Sequence, residues 1–226
     1  MTTMMELCEE VNKSWEDQQA EKRSVLRVLM NRHGTDKLFL HHYDEEYTRH
    51  FEPFKDRTFA LLEIGVGGYG DPRKGGESLK VWRDYFPHAT VNGLDNEPKD
   101  LRLGGRAITW LGSQNNVEDL ERVNRLAGPF DIIIDDGSHQ QEHIRTSFFT
   151  LFPLLASGGI YVIEDMETAY RPAFGGDPEA PPTIGLIQRL IDGLHWQFWS
   201  GRGPKPIDQM VKSIHVSKEL AFIYKQ

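Results

Sequence analysis

Cysteine is nearly absent: Cys8 stands alone among 226 residues. That excludes a disulfide framework and a thiolate zinc site, and the chain reads as one built for a reducing compartment. Cys8 itself is read as a buried small hydrophobe. Long apolar runs are missing as well. Nothing approaches the ~18 residues of a spanning helix, and Glu6, Glu9, Glu10 and Lys13 interrupt the stretch from Met1 to Trp15, where a signal peptide would need an apolar core. A cytoplasmic protein with no membrane partner is therefore expected. Basic clusters are lacking too: 26 Lys and Arg face 34 Asp and Glu, for a formal charge of −8. Such a balance argues against nucleic acid and for a small-molecule partner. What is present is 38% hydrophobic residues and 21 glycines, enough for one packed domain of ordinary size and too many for a disordered chain.

From Met4 to about Arg32 the spacing predicts one or two helices, with Leu7, Val11 and Trp15 at fourfold intervals and a second apolar cluster at Val25, Leu26, Val28 and Leu29, ended by Gly34. The segment from Gly34 to Phe51 is rich in His and Tyr and only weakly periodic. Short Leu/Ile/Val runs then predict strands over 59–65, 89–95, 107–112, 130–136 and 159–164, alternating with helices over 77–85, 117–126 and 142–155. Alternation of strand and helix implies a mostly parallel, doubly wound α/β sheet covered on both faces. We divide the chain into an N-terminal helical, cofactor-covering segment (1–56) and a Rossmann-like domain (57–226) within one compact unit. The Pro- and Gly-rich stretch 171–183 is either a lid or an insertion. A helical face follows at Ile184, Ile187, Leu190, Ile191 and Leu194, and a last strand over 219–224.

Ligands of such sheets sit beyond the carboxyl ends of the strands. The first strand ends Glu63-Ile64-Gly65-Val66-Gly67-Gly68-Tyr69-Gly70, so Gly65, Gly67 and Gly70 satisfy G-x-G-x-x-G. The third glycine does not open a helix, because Asp71-Pro72-Arg73-Lys74-Gly75-Gly76 intervenes, which misplaces a pyrophosphate cradle. Glu63 would repel a diphosphate but accept hydrogen bonds from a cationic or hydroxylated ligand; S-adenosylmethionine meets both conditions. Asp95, closing the second strand, is read as a ribose ligand or a turn aspartate. Ser113 and Gln114, after the third strand, reach an adenine edge or form a turn.

The fourth and fifth strands end in Asp135-Asp136-Gly137-Ser138-His139 and Glu164-Asp165. Gathering Asp136, Glu164 and Asp165 at one rim costs electrostatic energy that a divalent cation offsets, and all-oxygen ligands suit Mg²⁺ or Mn²⁺ over zinc. The alternative is that one or two of them cap the following helix. Alternation along the strand sends Asp135 to the other face, toward the methionine end of the cofactor. His139 lies close enough to Asp136 to act as general base near neutral pH; a helix-start role is the alternative, and His143 has the weaker claim.

With these residues assembled, the chain resembles the metal-dependent sugar O-methyltransferases of antibiotic biosynthesis, in particular those acting on macrolide deoxysugars. The likeness runs from Gly34-Thr35-Asp36-Lys37 through His41, Tyr43, Tyr47, Phe51, Gly75–Leu79, Trp82–Pro87, Phe130–His139, Ser147-Phe148 and Tyr161–Asp165 to Tyr170 and Phe174-Gly175-Gly176. It implies a class I S-adenosylmethionine-dependent fold with an N-terminal helical extension. It further implies Asp136, Glu164 and Asp165 as magnesium ligands, His139 as the base, and Glu63, Gly65 and Asp95 as cofactor contacts; on the reading of the residues themselves, Gly67, Ser113, Gln114, Asp135 and Tyr43 are expected to join the cofactor contacts, and Asp136 to pair with His139 in catalysis. The implied partner is a small-molecule glycoside, with a homo-oligomer left open. Three other functions remain on the sequence: a catechol or phenol O-methyltransferase, since adjacent oxygens also chelate Mg²⁺; an NAD(P)-dependent sugar oxidoreductase, which lacks its Tyr-x-x-x-Lys pair; and an idle binding module.

Overall fold

The computed structural model describes residues 24–226; the helix expected from Met4 begins, and Cys8 lies, outside them. Seven strands form one sheet: β1 (Ala60–Ile64), β2 (Thr90–Asp95), β3 (Ala107–Leu111), β4 (Ile132–Asp135), β5 (Ile160–Ile163), β6 (Val211–Val216) and β7 (Ala221–Lys225). Their spatial order is β3-β2-β1-β4-β5-β7-β6. The β3 to β5 half is parallel, and the two C-terminal strands close it antiparallel. The chain winds outward from β1 to β3 and then returns to β4 on the other side of β1, so the crevice opens where these windings part.

Helices α1 (Val25–His33), α2 (Asp36–Phe39), α3 (Asp44–Phe51) and α4 (Glu77–Tyr85) cover one face. On the other lie α5 (Val117–Ala127), α6 (Gln141–Leu151) and α7 (Pro182–Gly193); a short α8 (Pro206–Met210) leads into β6. Alternation within single strands separates the two cores: Leu61, Ile132, Ile134 and Val162 pack with the first group, Leu62, Ile133, Tyr161 and Ile163 with the second. Burial on both sides accounts for the uninterrupted apolar runs.

Helix α4 has the expected bounds. Helix α6 stops short of residue 155 because Pro153 lacks an amide hydrogen, and a 3₁₀ turn (Phe152–Leu154) takes over. The weakly periodic segment after Gly34 contains α2 and α3. In α3 and its cap, Tyr43, Tyr47 and Phe51 fall one turn apart, and Tyr47 packs on Trp82 and Phe222 with ring centroids 5.0 and 5.7 Å away. The Pro/Gly-rich stretch is ordered by a 3₁₀ turn (Pro172–Phe174) and by hydrogen bonds from Gln140 to Ala173 and from Thr183 to Gln141. Strand β6 is an addition that the sequence reading lacked. No helix among the described residues is long and apolar enough to cross a membrane.

Candidate active site

A cavity of about 640 Å³ opens beyond the carboxyl ends of β1 to β4, within the size range of small-ligand sites. Its wall carries five carboxylates, Asp36, Glu77, Asp95, Glu97 and Asp136, and among the described residues no lysine or arginine lines it. Ser78, in the first turn of α4, turns its hydroxyl onto Glu63 at 2.9 Å, and Glu77 stands beside it. A helix start so furnished repels phosphate.

Gly65 and Gly67 line the cavity. Gly65 has φ +92°, and a Cβ there would lie 2.0 Å from the Asp136 carbonyl oxygen, so the close approach of β1 and β4 requires glycine. Gly65→Ala is expected to destabilise the chain by about 2–4 kcal/mol through backbone strain and overpacking, read from the urea midpoint at unchanged m-value. Gly70 meets no such constraint, so the literal G-x-G-x-x-G match lacks the physical basis of the dinucleotide motif.

Asp95 lines the cavity while accepting from the Val66 and Glu97 amides at 3.0 and 2.9 Å; it is both a turn aspartate and a cavity wall. The Lys99 ammonium, overlooked in the sequence, bonds the Gly67 and Tyr69 carbonyls at 2.6 and 3.1 Å and so ties down the glycine loop. Ser113 and Gln114 also reach the wall. The Gln114 amide is already engaged, donating to Asp135 and accepting from the Ser138 amide at 3.0 Å.

Three expected cofactor contacts stand elsewhere. Glu63 is fully buried, accepting from Ser78 and from Trp82 Nε1 at 3.0 Å and lying 3.2 Å from Lys37 Nζ; β1 alternation points it toward α4 rather than the cavity. Burial pushes its carboxyl up to about 7 against the pull of Lys37. Asp135 turns into the opposite core, where Gln114, Ser147 and Tyr161 all donate to it; burial raises it to about 6. Tyr43 lies away from the cavity and donates to Asp165 Oδ1 at 2.7 Å. Burial, then the charge of Asp165, raises its pKa and keeps the phenol a donor.

The expected metal trio is divided. Asp136, His139 and Asp165 each place one ligating atom within 4.8 Å of the others, with His139 Nε2 at 3.6 Å from Asp165 and 3.9 Å from Asp136. Glu164, next along the chain from a β5 residue of the second core, turns the other way. Both its oxygens lie 2.8 Å from Lys37 Nζ, and it also accepts from the Tyr47 hydroxyl. Lys37, whose side chain is 2% exposed, thus bridges Glu63, Asp136 and Glu164. Burial alone would lower its pKa, but three carboxylates hold it well above the ordinary value. Burial pushes Glu164 up, as does neighbouring Asp136. His139 and Asp165 both take left-handed backbone (φ +56° and +53°), the kind of local strain that gathers at functional sites. Phe174 sets its ring edge-on to His139 at 6.2 Å between centroids, and His143 is bonded to Ser138 at 2.7 Å.

No protein-family model matches the chain. Individual relatives do. It is 44% identical over 214 residues to the 8-demethyl-8-alpha-L-rhamnosyl tetracenomycin-C 2'-O-methyltransferase of Streptomyces olivaceus, covering 92% of this chain and 57% of that protein. It is also 44% identical over 212 residues to the mycinamicin VI 2''-O-methyltransferase of Micromonospora griseorubida, covering 90% and 53%. Among solved structures, the MycE methyltransferase of the mycinamycin biosynthetic pathway, in complex with Mg and SAH, superposes with a TM-score of 0.85 at 43% identity, over 89% of this chain and 54% of that one. The chain spans about half the length of these relatives.

Proposed function

We propose that this chain, a homologue of the sugar O-methyltransferases of antibiotic pathways with the class I S-adenosylmethionine-dependent methyltransferase fold, methylates a sugar hydroxyl of a glycosylated small molecule. The observation that carries this reading is the charge of the cavity: carboxylates without a lining lysine or arginine. Such a wall favours a sulfonium over a diphosphate, which sets S-adenosylmethionine above a nicotinamide dinucleotide. Asp95, fixed by two backbone amides, would accept from ribose hydroxyls, and Ser113 would face the base. Glu63 and Asp135 act one layer back, by holding Ser78 and Gln114.

The rim fits a hard dication. Even with Glu63 protonated, Asp136, Glu164 and Asp165 outnumber the one ammonium among them, and Asp136 and Asp165 already converge. Asp136 and Asp165 would hold Mg²⁺, with Glu164 alongside if it exchanges its hold on Lys37. The ion supplies Lewis acidity, which makes a bound hydroxyl easier to deprotonate. His139 Nε2, at the same rim, takes the proton. The acceptor oxygen forms its bond to the methyl carbon as the carbon–sulfur bond breaks, leaving a neutral thioether. Phe174 and Tyr170 offer apolar surface to the glycoside, and 171–183 would cover it.

Calorimetry tests the donor. S-adenosylmethionine should bind with micromolar Kd, and NADH should give no heat; tight NADH binding without a methionine-sulfonium signal would overturn the assignment. Asp95→Asn should weaken the donor roughly tenfold, as expected for loss of a charge-assisted hydrogen bond, and should lower stability by about 1 kcal/mol in urea, because the side-chain amide can accept only one of the two backbone N–H groups that the carboxylate holds.

A further inference from the structure

Away from the cavity, a second group of ligating side chains meets where α3 crosses the outer strands. Glu46 and His50 lie one turn apart on α3, His215 reaches them from β6, and one ligating atom of each falls within 4.8 Å of the others. His215 Nε2 is 2.9 Å from Glu46 Oε2, and His50 Nε2 is 3.7 Å from the same oxygen. His50 is only 8% exposed, and its Nε2 has no hydrogen-bond partner. Buried ring nitrogens normally find one. Its other nitrogen bonds the Tyr224 hydroxyl, and its ring stacks on Phe222 with centroids 4.0 Å apart.

We propose that Glu46, His50 and His215 form a binding site for a divalent transition metal of the zinc type, separate from the acidic rim. Two imidazoles and one carboxylate are a borderline donor set that selects Zn²⁺ or Co²⁺ over Mg²⁺, and three protein ligands leave a position for water. The Tyr224 hydroxyl supplies the outer hydrogen bond that commonly orients a metal-bound histidine. The competing cation is Arg49, 3.2 Å from both Glu46 oxygens; its side chain is 59% exposed and free to yield. Bound metal would fasten α3 to β6, and α3 also carries Tyr47, which holds Glu164.

The test uses the full chain, stripped with chelator, in an Asp136→Asn/Asp165→Asn background that removes the rim donors. Cobalt titration should give one equivalent with the visible d–d absorption of a low-coordinate nitrogen/oxygen site, displaced by Zn²⁺. His215→Ala and, independently, Glu46→Gln should abolish it, and Tyr224→Phe should weaken it about tenfold. Zinc at roughly a hundredfold its Kd should raise Tm by about 5–10 °C, a shift that His215→Ala removes. Absence of cobalt absorption in the rim-deficient background, or its survival in both ligand variants, would overturn the proposal.

Discussion

Lys37→Met is expected to cost about 3–5 kcal/mol of folding stability, the range for removing one partner of a buried ion pair. The side chain is enclosed, and its ammonium is the cation shared by Glu63, Asp136 and Glu164. Methionine fills much of the same volume, so the loss isolates charge from packing. The three carboxylates left behind, already raised by burial, must take up protons or repel one another at low dielectric, and either costs stability. Urea denaturation at neutral pH checks this; a loss below about 1 kcal/mol would mean that the carboxylates are not held ionised by Lys37.

His139→Ala is expected to lower turnover by about 10²–10⁴, the usual contribution of a positioned general base, while donor affinity stays within roughly twofold, because Asp95 and the glycine loop are untouched. The side chain is partly exposed and makes no close hydrogen bond, so little stability rests on it. Steady-state turnover beside donor calorimetry separates the two effects. Loss of both together would assign His139 to holding the cavity instead.

The parts of the fold set by local pattern were legible in the sequence. Apolar runs bounded by Gly or Asp marked β1 to β5, and Glu77–Tyr85 could be read to the residue because Gly76 begins it and Phe86-Pro87 ends it. Helices α2 and α3 were missed, although Tyr43, Tyr47 and Phe51 carried the i, i+4 signal; the many polar residues between them masked it. Strand β6 escaped because it lies at the sheet edge with only Val211 buried, and charged or polar residues break the run.

At the site, sequence reading correctly brought Asp136, His139 and Asp165 to one rim, since parallel strands end together. The direction of each side chain is what the pattern leaves illegible. Glu63, Asp135 and Glu164 end strands as expected, yet the two-residue alternation turns them into buried networks with Lys37, Tyr47, Ser147 and Tyr161. Lys37 could not be found from periodicity. A lysine is ordinarily read as surface, and its burial here depends on carboxylates about 26, 99 and 127 residues away.

The most direct measurement is transfer itself: incubate the chain with S-adenosylmethionine and a panel of rhamnosides and related deoxysugar glycosides, with Mg²⁺ or with chelator, and follow the glycoside by mass spectrometry. Gain of a single methyl on the sugar, present with Mg²⁺, abolished by chelator and restored by added metal, is the predicted result. Methylation that proceeds undiminished in chelator would contradict the role of the acidic rim, and binding of the donor without methylation of any vicinal-diol glycoside would contradict the assigned acceptor.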